Sequence, residues 1–151
     1  MSKGWYGNSM GHSLASKGII VRKNDVEYKY ELEDKDPDTI RELISIFRSK
    51  ISNKDELTQK HCVEFARALY DMLGGGENYQ IMGHNYLMYN DYFYDGTGVQ
   101  TKEQIEGRFK GAKLKKDPDG WNYIYNMKAL KDYRQKLLDS YEEQQNNRRL
   151  I

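Results

Sequence analysis

A tight β-hairpin is predicted by the stretch HNYLMYNDYFYDGTG, which occupies residues 84–98. A turn at residues 90–91 would join two antiparallel arms and place His84 opposite Thr97. In this register His84 and Asp95 are diagonal neighbours on one face, about 7 Å apart between backbones and within reach of long side chains. The hairpin therefore predicts an imidazole that is oriented by a carboxylate.

The only cysteine of the chain, Cys62, lies about twenty residues before this hairpin. The segment HCVEFARAL, residues 61–69, predicts the opening of a helix, and the glycines at 74–76 predict its end. Either Asn53 caps this helix, or Thr58 does so after a separate turn. Only the second start places Cys62 near the first turn, where the helix dipole and a protonated histidine both lower the pKa of a thiol.

Together, Cys62, His84 and Asp95 have the chemistry of a thiol hydrolase, with a nucleophile, a general base and an orienting carboxylate. The apolar stripe of the cysteine helix is expected to pack onto the sheet face that carries His84, so that the imidazole can deprotonate the thiol. The candidate donors to an oxyanion are the backbone amide of Cys62 and the side chains of Gln59 and Gln80.

Each of these residues also has a purely structural interpretation. Cys62 fits a small core residue, His84 a strand-end histidine bonded to backbone, and Asp95 a turn aspartate before glycine. His61 competes as the base, but adjacent helical residues point about 100° apart, which turns it away from the neighbouring sulfur. A zinc site made of these residues would lack a close-spaced ligand pair, so the sequence predicts no metal and no cofactor.

The same residues carry a resemblance to a known family. The pattern is His-Cys-x-x-Phe-Ala-x-x-Leu, a glycine break, a strand-opening histidine, and an aspartate-ending strand before Gly-Thr-Gly. Over residues 59–99 it resembles small papain-like proteins of the transglutaminase-like and NlpC/P60-like superfamily, which phages and mobile elements often encode. The resemblance implies Cys62 as nucleophile, His84 as base and Asp95 as orienting residue. The upstream oxyanion glutamine or asparagine has no clear counterpart here.

The rest of the chain predicts a single α+β domain over residues 19–151, behind a glycine-punctuated leader with a short helix at 1–18. Strict alternation over residues 26–33 predicts a strand that pairs with residues 19–21. Further helices are predicted at 37–51 behind an Asp36 cap, from a Thr101 capping box to about 110, and from 126 onward with residues 142–149 fraying. The expected architecture is a short antiparallel sheet against the cysteine helix, with additional N- and C-terminal helices, as in papain-like folds.

Composition excludes several function classes. The 151 residues carry 24 basic and 23 acidic side chains, so a formal charge of +1 gives no field that attracts nucleic acid or membrane. A lone cysteine fits a reducing compartment, and no apolar run approaches the ~20 residues that a membrane span needs. These features predict a cytoplasmic protein with no membrane association.

The leading functional hypothesis is a thiol-dependent amide hydrolase or acyl transferase that acts on a peptide, isopeptide or glutamine substrate. The alternative is a non-enzymatic interaction protein of a phage or mobile element, for example an inhibitor of a host defence complex, with the thirteen tyrosines as contacts. A third interpretation is nucleic-acid binding through Lys110, Lys113, Lys115 and Lys116 beside the aromatic rings of Trp121 and Tyr123. The charge balance favours a solvated basic turn over this third interpretation.

Overall fold

The computed structural model describes residues 19–24, 27–32, 34–124 and 126–149, and these form an α+β structure. The predicted leader helix at 1–18 lies outside the described residues. The elements in chain order are β1 (Ile19–Asn24), β2 (Glu27–Leu32), α1 (Pro37–Arg48), α2 (Glu56–Gln59), α3 (Cys62–Leu73), β3 (Glu77–Ile81), β4 (His84–Tyr89), β5 (Tyr92–Asp95), β6 (Gly98–Gln100), α4 (Lys102–Arg108), β7 (Lys115–Lys116), a 3-10 helix (Pro118–Tyr123) and α5 (Met127–Arg149).

Two antiparallel sheets are present among the described residues: the predicted β1–β2 hairpin and a five-stranded sheet in the order β6-β5-β4-β3-β7. The β4–β5 hairpin turns at Asn90 and Asp91, whose positive φ angles of 50° and 69° suit a two-residue turn. The predicted register is confirmed near this turn. The predicted pairing of His84 with Thr97 is wrong, because the chain turns after Asp95 and enters β6.

The two faces of the large sheet are covered by different elements. Leu87 and Tyr94 face the main core, which α1, α3 and α5 build together with Leu32 of β2. Tyr86 and Phe93, one residue out of phase, face a smaller cluster on the opposite side. The main helical contributors are Ile40, Leu43, Ile44, Phe47, Phe65, Leu69, Leu130, Tyr133 and Leu137, and the smaller cluster adds Ile105 and Leu114.

This division corrects the predicted packing of the cysteine helix. His84 shares its face with Tyr86, two residues along β4, whereas α3 packs against the face of Leu87. The body of α3 therefore covers the face opposite His84. The thiol meets the imidazole at the end of the strand, and the stripe of α3 does not cover the ring.

Two helix ends and one helix cap differ from the sequence predictions. Helix α1 ends at Arg48, three residues early, and Asp36 makes no side-chain cap bond. Helix α5 extends to Arg149 instead of fraying after residue 142. The polar last turns of α5 are held because Gln144 is 1% exposed and donates to the carbonyl oxygen of Thr39 in α1 at 3.1 Å.

The basic segment near residue 115 is part of the fold. Lys115 and Lys116 form the edge strand β7, and Lys116 is paired with Glu77 of β3. The segment after it is a 3-10 helix, and the indole of Trp121 packs edge-on against Tyr70 at 5.4 Å between ring centroids. None of the described helices combines the length and apolar character that a bilayer crossing requires.

Candidate active site

Cys62 is the first residue of α3. The one-turn helix α2 ends at Gln59, and a new helix begins three residues later, so a separate turn does precede the cysteine helix, but the predicted start at Thr58 is wrong because Thr58 belongs to α2. Neither predicted cap is used: His61 occupies the N-cap position without a side-chain bond. The backbone amides of the first turn therefore lie beside the thiol, and the positive end of the helix dipole favours its deprotonated form.

Asp95 holds His84 through a short hydrogen bond. The Nε2 atom of His84 lies 2.8 Å from Oδ2 of Asp95, and both side chains are nearly buried, 11% and 4% exposed. The other carboxylate oxygen, Oδ1, accepts from the backbone amide of Thr97 at 2.9 Å and from its hydroxyl. Asp95 is therefore a turn aspartate and an imidazole partner at the same time, so its two structural roles are compatible.

The thiol of Cys62 is hydrogen-bonded to the His84 side chain and to the backbone amide of Asn85. Since Nε2 of His84 is engaged by Asp95, the ring nitrogen that remains for the thiol is Nδ1. The backbone amide of Asn85 is available because β5 pairs with β4 only as far as Leu87 and then turns away. The sulfur occupies the position at which the sheet would otherwise have continued.

Electrostatics at this site favours separated charges. Burial raises the pKa of Cys62, but the hydrogen bonds from His84 and from backbone amides, with the charge of His84, lower it by more, so it lies below its ordinary value of 9.0. Burial lowers the pKa of His84, but Asp95 and Cys62 raise it from 6.5 to about 9. Burial raises the pKa of Asp95, and the bonds from His84 and Thr97 bring it below its ordinary value of 3.8. Both shifts favour the thiolate–imidazolium pair over the neutral pair, relative to the same two groups free in water.

Tyr86 forms the wall beside the imidazole. Its ring stands edge-on to His84 at 4.6 Å between centroids, and its hydroxyl accepts from Nη2 of Arg108 at 2.9 Å. Burial, followed by the nearby charge of Asp95, raises the pKa of Tyr86 to about 12. The neutral tyrosine fixes the rotation of the ring from the side that α4 covers.

The alternative roles of the site residues are distinguished by these contacts. Cys62 is partly buried and is not a member of either apolar cluster, unlike its stripe neighbours Phe65 and Leu69. The imidazole of His61 lies 3.6 Å from the carboxylate of Glu64, which takes it away from the sulfur. Among the residues that the structure describes, no group of three or more histidine, cysteine and acidic side chains has an arrangement that could hold a metal ion.

Of the predicted oxyanion donors, the backbone amide of Cys62 lies at the first turn of α3, beside the sulfur. Gln80 is directed elsewhere: its Oε1 accepts from the backbone amide of Gly83 in the β3–β4 turn at 3.3 Å. The side chain of Gln59 is not among those described. The structure therefore brings together Cys62, His84 and Asp95 and does not bring Gln80 to them.

Two asparagines at the site were missed by the sequence analysis. Oδ1 of Asn85 lies 3.5 Å from the sulfur of Cys62, and Nδ2 of Asn85 donates to Oδ1 of Asn78 at 3.1 Å. Both residues are buried, and they lie on the strand face of Leu87, which packs on α3. The sequence signal that could have identified them is the alternation of side chains along a strand, which places both asparagines on the core-facing side. A polar residue at such a position requires a specific partner.

Comparison with protein-family models gives no match for this chain. Comparisons with curated proteins and with solved structures also give no match.

Proposed function

We propose that this protein is a thiol-dependent amide hydrolase or acyl transferase that acts on a peptide, isopeptide or glutamine side chain. The observation that carries the proposal is the position of His84, which is hydrogen-bonded to the Cys62 thiol and, through Nε2, to Asp95 at 2.8 Å. A nucleophile, a base and an orienting group in this order are the requirements of covalent acyl transfer.

The reaction follows from these positions. The thiolate of Cys62 attacks the carbonyl carbon of the amide, and a new S–C bond forms while the C=O oxygen takes up the negative charge. The backbone amide of Cys62 is the candidate donor to that oxygen. When the C–N bond breaks, the imidazolium of His84 gives its proton to the leaving nitrogen, and an acyl thioester remains on the sulfur.

The second half of the reaction uses the same base. Neutral His84 takes a proton from water or from an acceptor amine as this nucleophile attacks the thioester carbon. The C–S bond breaks, the thiolate is restored, and the product is an acid or a new amide. Asp95 keeps Nδ1 of the ring directed at the sulfur throughout and stabilises the imidazolium. A cysteine at a helix start beside a histidine on an adjacent strand supports the resemblance to papain-like proteins, and we propose that architecture for this chain.

The rival hypotheses have weaker support in the structure. The interaction-protein hypothesis relied on tyrosines as contacts, but Tyr86, Tyr94 and Tyr133 are fully buried and belong to the packing. Among the tyrosines whose side chains are described, Tyr92 and Tyr123 are the exposed ones, at 40% and 53%. The nucleic-acid hypothesis loses one of its lysines to the pair that Lys116 forms with Glu77.

Alkylation kinetics test the proposal directly. The native protein should react with iodoacetamide at Cys62 at pH 6 to 7 faster than a small free thiol does, because the thiolate is the reacting form. His84→Ala should slow this reaction, whereas the matched variant His61→Ala should leave it unchanged, since His61 is paired with Glu64.

Acyl transfer itself is read by mass spectrometry after exposure to p-nitrophenyl acetate. The parent protein should carry an acetyl group on Cys62, and Cys62→Ser and His84→Ala should not accumulate it. Labelling of Cys62 only after unfolding, with no acetylation of the folded protein, would remove the enzyme hypothesis and leave the interaction protein as the better proposal.

A further inference from the structure

The sulfur of Cys62 lies against the side-chain oxygen of Asn85, which is a hydrogen-bond acceptor and cannot stabilise a thiolate. Oδ1 of Asn85 lies 3.5 Å from the sulfur, in the position of an acceptor for the thiol hydrogen. A thiol has a single hydrogen, and transfer of that hydrogen to His84 leaves the sulfur as an acceptor only. The thiolate and the amide oxygen would then face each other without a hydrogen between them. This orientation of Asn85 therefore fits the neutral thiol and opposes the charged one.

The second asparagine has an unused donor. Asn78 is 2% exposed, and its Oδ1 accepts from Nδ2 of Asn85 at 3.1 Å. Within the described part of the chain, Nδ2 of Asn78 has no hydrogen-bond partner. A buried donor without a partner costs about 1–3 kcal/mol, so its retention requires a reason.

Rotation of both side-chain amides by 180° gives the sulfur a donor and uses the idle donor of Asn78, and it leaves Oδ1 of Asn78, an acceptor, in the position without a partner. The oxygen and nitrogen of an amide then exchange places while the shape of the group is unchanged. Nδ2 of Asn78 would donate to Oδ1 of Asn85, and Nδ2 of Asn85 would donate to the sulfur. The idle donor is used, and the thiolate receives a hydrogen bond where it previously faced a lone pair.

We propose that Asn85 and Asn78 form an amide pair that reverses when Cys62 loses its proton, so that Asn85 donates a hydrogen bond to the thiolate. The proton moves from the sulfur to Nδ1 of His84, and no other bond to hydrogen is broken. Both asparagines are positioning residues for the nucleophile, and the inference rests on the thiol chemistry proposed above. The lowered pKa of Cys62 and the raised pKa of His84 both act in favour of the reversed orientation.

The direction in which Asn85→Leu shifts the pKa of Cys62 distinguishes the two orientations of the amide. An amide oxygen fixed on the thiol hydrogen stabilises the protonated form, so its removal would lower the pKa of Cys62. An amide that donates to the thiolate stabilises the charged form, so Asn85→Leu should raise that pKa. We expect the acid dissociation constant of Cys62 to fall about 10- to 100-fold, from the loss of one hydrogen bond to a charged group. Gln80→Leu, on the paired strand opposite Asn85, is the matched control and should have no effect.

The measurement is the pH dependence of thiolate absorbance near 240 nm and of iodoacetamide labelling, with circular dichroism to confirm folding. This measurement needs no substrate. If the pKa of Cys62 shifts as expected but the protein transfers no acyl group, the proposed function is refuted and the amide pair is not. An unchanged or lowered pKa of Cys62 in Asn85→Leu would overturn the amide pair alone. If Asn85→Leu does not fold, Asn85→Ala takes its place and should shift the pKa of Cys62 in the same direction.

A double-mutant cycle tests the role of Asn78. In Asn78→Asp the ionised carboxylate accepts but cannot donate, so it holds Nδ2 of Asn85 and keeps Oδ1 on the sulfur. In that background Asn85→Leu should lower the pKa of Cys62, opposite to its effect in the parent. The comparison is made at a pH at which the introduced carboxyl group is ionised in both arms of the cycle, so that its charge contributes equally to them. The same sign in both backgrounds would overturn the coupling between the two amides.

Discussion

Asp95→Asn is expected to convert the site from an ion pair to a neutral pair. The substitution keeps the shape of the side chain and one oxygen that accepts from Nε2 of His84, but it removes the negative charge 2.8 Å away. The imidazolium loses its principal stabilising partner. The histidine therefore becomes neutral at a lower pH, and the thiol gives up its proton less readily.

The magnitude follows from the pKa of His84, which lies at about 9 against an ordinary value of 6.5. At 1.36 kcal/mol for each pH unit, this difference favours the folded imidazolium by about 3 kcal/mol. Cys62 provides part of this preference and Asp95 the rest. An opposite charge in contact contributes about 1–3 pH units, so Asp95→Asn should lower the pKa of His84 by about two.

The sign of the pH effect on stability follows from the same values. The folded-state pKa of His84 lies above the unfolded value of 6.5, so this group stabilises the fold fully below pH 6.5. Its contribution is lost as the pH rises through about 9. In Asp95→Asn the loss should be smaller and should occur at lower pH, which urea unfolding at a series of pH values would measure.

The direct assay is an NMR titration of the His84 ring protons. Cys62→Ser and the double variant Cys62→Ser/Asp95→Asn separate the contribution of the thiolate, because the two sites titrate as a coupled pair in the parent. If His84 in Asp95→Asn still titrates near pH 9, the carboxylate is not what raises its pKa, and the assigned role of Asp95 is incorrect.

Three substitutions test the scaffold by urea unfolding. Gly96→Ala should cost about 1–3 kcal/mol, because a Cβ at Gly96 would lie 2.5 Å from Cβ of Leu57, and unchanged stability would contradict that contact. Gln144→Ala should cost about 1–3 kcal/mol through the loss of buried hydrogen bonds to α1, whereas exposed Asn147→Ala should change stability by less than about 0.5 kcal/mol. Thr101→Ala removes a capping box with both of its bonds present and should cost about 1 kcal/mol, and no loss would show that α4 is held by packing alone.

The contact between His84 and Asp95 was predictable because it depends on local geometry. A two-residue turn fixes the register of its arms, and the register fixes which side chains are neighbours. The same rule could not locate the end of β5, since the chain leaves the register at Gly96 for a tertiary reason. The predicted pairing of His84 with Thr97 is therefore absent, whereas the predicted contact of His84 with Asp95 is present.

The placement of Cys62 was only partly predictable. Local sequence left two starts for its helix, and the choice depends on how α2 packs, which propensity does not encode. The apolar stripe of α3 was predicted to pack on the sheet face that carries His84. It packs instead on the opposite face, against Leu87 and Tyr94. Strands β6 and β7 span three and two residues, too short for a period of two to be detected.

The candidate site lies where one helix begins and one strand ends. Helix α3 begins at Cys62 after the turn formed by α2, and β5 ends where Gly96 passes against Leu57 of that same α2. The contact of Gly96 with Leu57 therefore joins the end of this strand to the helix that precedes Cys62. Had β5 continued, its backbone would have taken the amide of Asn85 that now bonds the thiol. The chemistry proposed for this protein thus depends on a glycine that carries no functional group.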